Sequence, residues 1–104
     1  MSLRDPDNPL AIEIQQEMAE AYFGACRKMV DSLAALKAFD ASAASANQQI
    51  ARRAELLDKA AERVLFVLIQ REAMKLSGYE EFFEDYEIPH EVKMRLGTTQ
   101  RITE

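Results

Sequence analysis

The chain has 104 residues, a formal net charge of −5 and 48% hydrophobic residues, with three glycines and three prolines. A chain of this length fits one domain, and its low glycine and proline content disfavours a β-rich or disordered chain. The acidic balance opposes binding to nucleic acid or anionic lipid, and the single cysteine, Cys26, excludes both an intramolecular disulfide and a zinc site with several thiolates.

No signal-like apolar region follows Met1, and the longest apolar run has six residues, where a membrane helix needs about twenty. We therefore expect a single helical domain over residues 1–104 in a reducing cytoplasm. Residues 1–8 are polar, and we expect them to be loosely ordered.

Asn8 and Pro9 predict the start of a first long helix, with Asn8 as the N-cap and Pro9 at the first helical position. The helix is expected to extend to about residue 39. Its apolar residues recur at the three- and four-residue spacing of one helix face: Met18, Tyr22, Cys26, Met29, Leu33 and Leu36.

Residues 40–47 mix helix-capping residues with alanines and predict a turn that sends the chain back. Because alanine favours helix, one continuous helix through this segment stays open as an alternative. With the turn, the first two helices form an antiparallel hairpin.

A second long helix is predicted over residues 48–76. Its distinguishing feature is the run of six apolar residues at 64–69, which leaves no polar face for water. Two adjacent apolar stripes along the helix indicate that it has two neighbours.

Two short helices are predicted after Gly78, which suits the left-handed position at the end of the second helix. The first covers residues 79–86, and the second covers residues 89–96 and is closed by Gly97. Residues 98–104 are expected to be loosely ordered. The apolar residues of both short helices are expected to fold back over the hairpin.

Three C-terminal stretches, residues 70–73, 85–92 and 95–97, read QREA, DYEIPHEV and RLG. In these stretches the chain resembles a family of small all-α bacterial proteins of unknown function. The resemblance covers about the last third of the chain. It implies a helical fold and no activity, because it brings no catalytic or binding residues with it.

Residues for catalysis or metal binding are scarce. The only histidine, His90, is followed by Glu91 as in a zinc protease motif, but Met94 stands where the second histidine is required. A carboxylate ladder at Glu13, Glu17 and Glu20 has no histidine on either long helix to complete a di-metal site, and a solvated face is expected. Cys26 is expected to be a buried thiol. We predict no enzyme, no cofactor and no metal.

The apolar surface instead predicts self-association, because two long helices expose more of it than two short helices can cover. We expect a homodimer resembling a four-helix bundle, in which the chain acts as a protein interaction or scaffold module. The predicted interface consists of Val64, Leu65, Phe66, Val67 and Ile69.

Two other functions stay open. The C-terminal helix pair has the size of a helix-turn-helix and suggests a nucleic-acid-binding regulator, although the acidic residues from Glu80 to Glu87 oppose it. Space between the helices, lined by methionines and aromatic residues, suggests a carrier of a small ligand or lipid. The sequence does not decide whether the acidic cluster binds a basic protein or is only solvated.

Overall fold

A computed structural model describes the backbone of residues 8–42 and 46–103 and the side chains of residues 8–42 and 49–96. These residues form four helices and no strand: α1 (Pro9–Asp40), α2 (Ala46–Ala73), α3 (Tyr79–Asp85) and α4 (His90–Thr103). The predicted all-α class is confirmed. The leader at residues 1–7, for which loose ordering is predicted, lies outside the described residues.

The first helix begins as predicted. The side chain of Asn8 accepts a hydrogen bond from the backbone N–H of Leu10 at 3.0 Å, and Pro9 occupies the first turn. The helix ends at Asp40, where the hydroxyl of Ser42 donates to the carbonyl of Phe39 at 2.7 Å. The chain therefore leaves the helix after Asp40, which decides against a continuous helix. The middle of the predicted turn, residues 43–45, lies outside the described residues.

The second helix ends earlier than predicted, at Ala73. Lys75 takes the left-handed conformation, with φ 60°, and the N–H of Leu76 donates to the carbonyl of Arg71 at 2.8 Å. This hydrogen-bond pattern closes a helix when the residue before the donor is left-handed. Gly78 is also left-handed, with φ 83°, but it caps the start of α3. Its predicted position at the end of α2 is therefore wrong.

The last helix is longer than predicted. Its backbone continues through Gly97 to Thr103, whereas the sequence placed its end at residue 96. The physical reason is that glycine inside a helix costs only about 1 kcal/mol relative to alanine, so it ends a helix only where the chain also turns. The side chains beyond residue 96 are not described.

Two polar contacts give the relative direction of the long helices. Arg53, near the start of α2, contacts Asp40 at the end of α1, and Arg71, near the end of α2, donates to the hydroxyl of Tyr22. The two helices therefore run in opposite directions. α4 runs in the same direction as α2, since Arg53 contacts Glu91 at its start and Asp58, later in α2, contacts Arg95, later in α4.

The core lies between the two long helices and the C-terminal helices. α3, α4 and the segment between them contribute four buried side chains to it: Phe82, Ile88, Val92 and Leu96. They cover one side of the α1 and α2 pair. The molecule measures 60 × 28 × 21 Å, and its radius of gyration is 17.0 Å, whereas a compact domain of this length has about 13 Å. The elongated shape leaves much of α1 and α2 at the surface.

Within the described part of the chain, no helix combines the length and the hydrophobicity needed to cross a membrane.

Candidate protein interface

An apolar patch lies on the surface of α2, on the side away from the core. Phe66 is 50% exposed and Ile69 is 54% exposed, and Leu65 at their edge is half-buried and also packs against the core. These three residues are called the outer patch here. Phe66 and Ile69 share one side of the helix because residues three apart lie about 60° from each other around its axis. In the single chain both large apolar side chains are exposed to water.

Charged side chains surround the outer patch. Lys28 of α1 and Glu62 and Arg63 of α2 line the same shallow depression as the three apolar residues. An apolar centre with a charged rim is the usual construction of a protein interface. The rim carries both signs of charge, so a partner need not be strongly basic or strongly acidic.

Two of the five predicted interface residues do not belong to this surface. Val64 and Val67 have no exposed area, and both pack in the core. Each residue of a helix is rotated by about 100° from the previous one, so an unbroken apolar run faces both inward and outward. The interface prediction is therefore wrong for Val64 and Val67, which belong to the core. The remaining predicted interface residues are Leu65, Phe66 and Ile69.

The outer patch continues toward the end of α2. Ala73, one turn after Ile69, is exposed and lines a groove with Met18 of α1 and with Met74. Met18 is 38% exposed. Apolar surface therefore extends from the middle of α2 to the point where α2 ends beside α1.

A second cluster surrounds Cys26 inside the protein. The buried thiol lies between the hydroxyls of Tyr22 and Tyr86, and Arg71 donates to the Tyr22 hydroxyl at 3.0 Å. Burial raises the pKa of both tyrosines, and the Cys26 thiol adds to the rise, while the Arg71 guanidinium opposes it. The phenols therefore stay protonated at neutral pH and act as hydrogen-bonding groups.

Arg71 connects this cluster to α3. Its guanidinium carbon lies 4.9 Å from the ring centre of Phe82, and a terminal nitrogen donates to the carbonyl of Ser77 at 2.7 Å. These contacts hold the start of α3 against the long helices, which is a structural role. The sequence assigns Tyr22, which Arg71 contacts, only to an apolar helix face.

Arg53 forms the other polar connection. Its guanidinium lies 2.7 Å from a carboxylate oxygen of Asp40 and 2.6 Å from one of Glu91. Hydrogen bonds from Arg53 lower the pKa of both carboxyl groups, although each is exposed to solvent. The three side chains fasten the start of α4 to the end of α1 and the start of α2.

The residues considered for chemistry lie at the surface. Glu13, Glu17, Glu20 and His90 are exposed. Among the side chains that the structure describes, no three histidine, cysteine or carboxylate groups are grouped so that they could hold a metal ion.

Lys93 and Arg95, the basic residues of the C-terminal helix pair whose side chains the structure describes, make contacts within the chain. The Lys93 amine lies 5.1 Å from the ring centre of Phe83, and Arg95 lies 2.6 Å from a carboxylate oxygen of Asp58. Both contacts compete with phosphate binding by these side chains.

A groove of about 500 Å³ runs between α1 and the segment that joins α3 to α4. Val30, Leu33 and Pro89 form apolar walls, while Arg53 and its carboxylate partners lie at its edge. The groove is open to solvent, so it would cover only part of a ligand, whereas ligand sites usually enclose most of the ligand surface.

A scan against protein-family models found no match, and searches of curated proteins and of solved structures also found none. The resemblance to a bacterial family of unknown function therefore stays a prediction from the sequence.

Proposed function

We propose that this protein is a non-enzymatic helical interaction or scaffold module of the bacterial cytoplasm, and that it acts as a homodimer. In the proposed dimer, the α1 and α2 pairs of two copies form a four-helix bundle. The observation that supports it is the outer patch, where Phe66 and Ile69 are each about half exposed on a long helix. The C-terminal helices cover the other side of the pair, so the outer patch is the side on which a second copy fits.

The free energy of this contact has to come from more than the outer patch. Covering the exposed half of Phe66 or Ile69 contributes about 1 kcal/mol, since complete burial of such a side chain is worth about 1.5–3 kcal/mol. Two copies bring four such side chains, or about 4 kcal/mol, which only balances the lowest cost of association, about 4 kcal/mol. The surrounding surface of the long helices must therefore be buried as well.

Light scattering on the purified protein tests the proposal. At micromolar concentration we expect a mass twice the 11.8 kDa of one chain. Phe66→Asp should convert the dimer to a folded monomer, because a charge would enter a desolvated contact. Ile50→Asp is the matched control, since Ile50 lies on the same helix, is 73% exposed and is about four turns away from the patch.

Two results would contradict the proposal. One is a mass of 11.8 kDa that does not change with concentration in the unmodified protein. The other is a dimer that Phe66→Asp leaves intact, which would place the contact on another surface. Circular dichroism on each variant separates loss of the dimer from loss of the fold.

A further inference from the structure

We infer that the two copies cross through the outer faces of α2 in antiparallel orientation, with the two-fold axis between Phe66 and Ile69. In this arrangement Phe66 of each copy packs on Ile69 of the partner subunit. The inference rests on the proposed homodimer and adds the geometry of its contact.

The distribution of charge along the outer face of α2 supports this orientation. Before the outer patch, this face carries Glu55, Lys59 and Glu62 at helical spacing, and all three are exposed. After it, the same line continues with Ala73, the last residue of the helix, which is exposed. The face is therefore charged in its first half and apolar in its second half.

A parallel crossing would place identical residues side by side. Glu62 would face Glu62 of the partner subunit, and the same would hold for Lys59 and for Glu55. Like charges at equivalent positions of paired helices destabilise the pair. The parallel arrangement would thus add three repulsive contacts next to the apolar one.

The antiparallel crossing avoids these contacts. With the axis between Phe66 and Ile69, Glu62 lies opposite Ala73 of the partner subunit, whose small side chain leaves room for the stem of the glutamate. The two copies of Glu62 are then about 16 Å apart along the axis, at 1.5 Å per residue, which is twice the screening length of about 8 Å at physiological salt.

Distances between spin labels at two positions of α2 test the orientation. The labels are attached at Glu55→Cys or at Lys59→Cys, in a chain whose own thiol is removed by Cys26→Ala. Both labelled positions are exposed and lie outside the outer patch. Light scattering and circular dichroism on each labelled protein show that it is folded and dimeric.

The antiparallel crossing predicts about 37 Å between the two copies of position 55 and about 25 Å between the two copies of position 59, measured along the helix axis. The difference of about 12 Å does not depend on the length of the label. A parallel crossing predicts short distances at both positions, close to the 8–10 Å between packed helix axes plus the labels.

Equal short distances at both positions in a dimer would overturn the antiparallel crossing and leave the homodimer in place. Two distances that differ by about 12 Å but are both clearly longer or both clearly shorter than about 37 Å and 25 Å would place the axis elsewhere and would also overturn the inference. If the labelled protein and the unmodified protein are both monomeric, the proposed homodimer itself is contradicted. The two failures are therefore distinguishable.

Discussion

Phe66 and Val67 are neighbours in the sequence, yet they lie on different sides of α2, about 100° apart around its axis. Val67 has no exposed surface, while half of Phe66 is exposed to solvent. The same substitution should therefore act differently at the two positions. Aspartate at position 67 would bring an unpaired charge into the core and unfold the chain, whereas aspartate at position 66 should change only the association of folded chains.

Leucines at two positions of α1 allow a matched test of the core. Leu36 is 2% exposed and Leu10 is 56% exposed. We expect Leu36→Ala to lower the free energy of unfolding by about 2–5 kcal/mol, because it removes buried methyl groups and leaves a cavity. Leu10→Ala should change it by less than about 0.5 kcal/mol. Chemical denaturation measures both, and equal losses would contradict the placement of Leu36 in the core.

Tyr22 should stabilise the fold through its hydroxyl. Tyr22→Phe leaves a partly buried donor of Arg71 without its acceptor, and we expect a loss of about 1.5 kcal/mol in the free energy of unfolding. Tyr79→Phe is the control, since Tyr79 is 40% exposed and should tolerate the change. If both variants unfold like the unmodified protein, the contact between Tyr22 and Arg71 does not contribute to stability.

The tyrosines also predict a dependence on alkaline pH. Burial raises the pKa of Tyr22 and Tyr86, so the folded chain favours their protonated forms. Stability is then fully present below pH 10 and decreases as the pH rises above the ordinary pKa of tyrosine, about 10. Absorbance titration should show two phenols that ionise late. Ionisation of Tyr22 and Tyr86 near pH 10 would contradict the buried cluster.

Arg53 should make the fold sensitive to acid. Because Arg53 lowers the pKa of Asp40 and Glu91 in the folded chain, their ionised forms stabilise it at pH values above the ordinary carboxyl pKa, about 4. This stabilisation is lost as the pH falls below that value. Arg53→Gln should therefore lose less thermal stability than the unmodified protein between pH 7 and pH 3. Identical losses in the two proteins would refute the role of Arg53.

The left-handed residue after α2 offers a stabilising substitution. Lys75 has φ 60°, a conformation that costs a residue with a side chain about 1 kcal/mol more than glycine. Lys75→Gly should therefore raise the free energy of unfolding by about 1 kcal/mol. Gly78→Ala should lower it, since φ is 83° and the added Cβ would lie 3.1 Å from a carboxylate oxygen of Glu81. Thermal unfolding of both variants checks the opposite signs.

Much of the secondary structure was predictable from local chemistry. Asn8 and Pro9 specify the start of α1 because they satisfy or remove backbone N–H groups within one turn. The ends of α2 and α4 were not predictable in the same way. Lys75 rather than Gly78 closes α2, and Gly97 lies inside α4, because where a helix ends depends on where the next element packs.

The candidate interface was predictable only as a segment. The apolar run at 64–69 indicated that α2 has more than one neighbour, and it contains both the core residues and the outer patch. Which residues belong to which group depends on the direction from which α1 and α4 approach, and this information is not present in a run without polar residues. The cluster of Tyr22, Cys26, Arg71 and Tyr86 was missed for a related reason, since its members come from three separate segments.

The sequence by itself determined that this protein is helical and where its first helix begins, because periodicity and capping act over a few residues. Only the tertiary structure decided that Val64 and Val67 face the core and that Phe66 and Ile69 face outward. The physical reason is that an apolar side chain gains the same free energy against any apolar surface. The packing of the other helices therefore selects which apolar side chains are covered and which stay exposed for a partner.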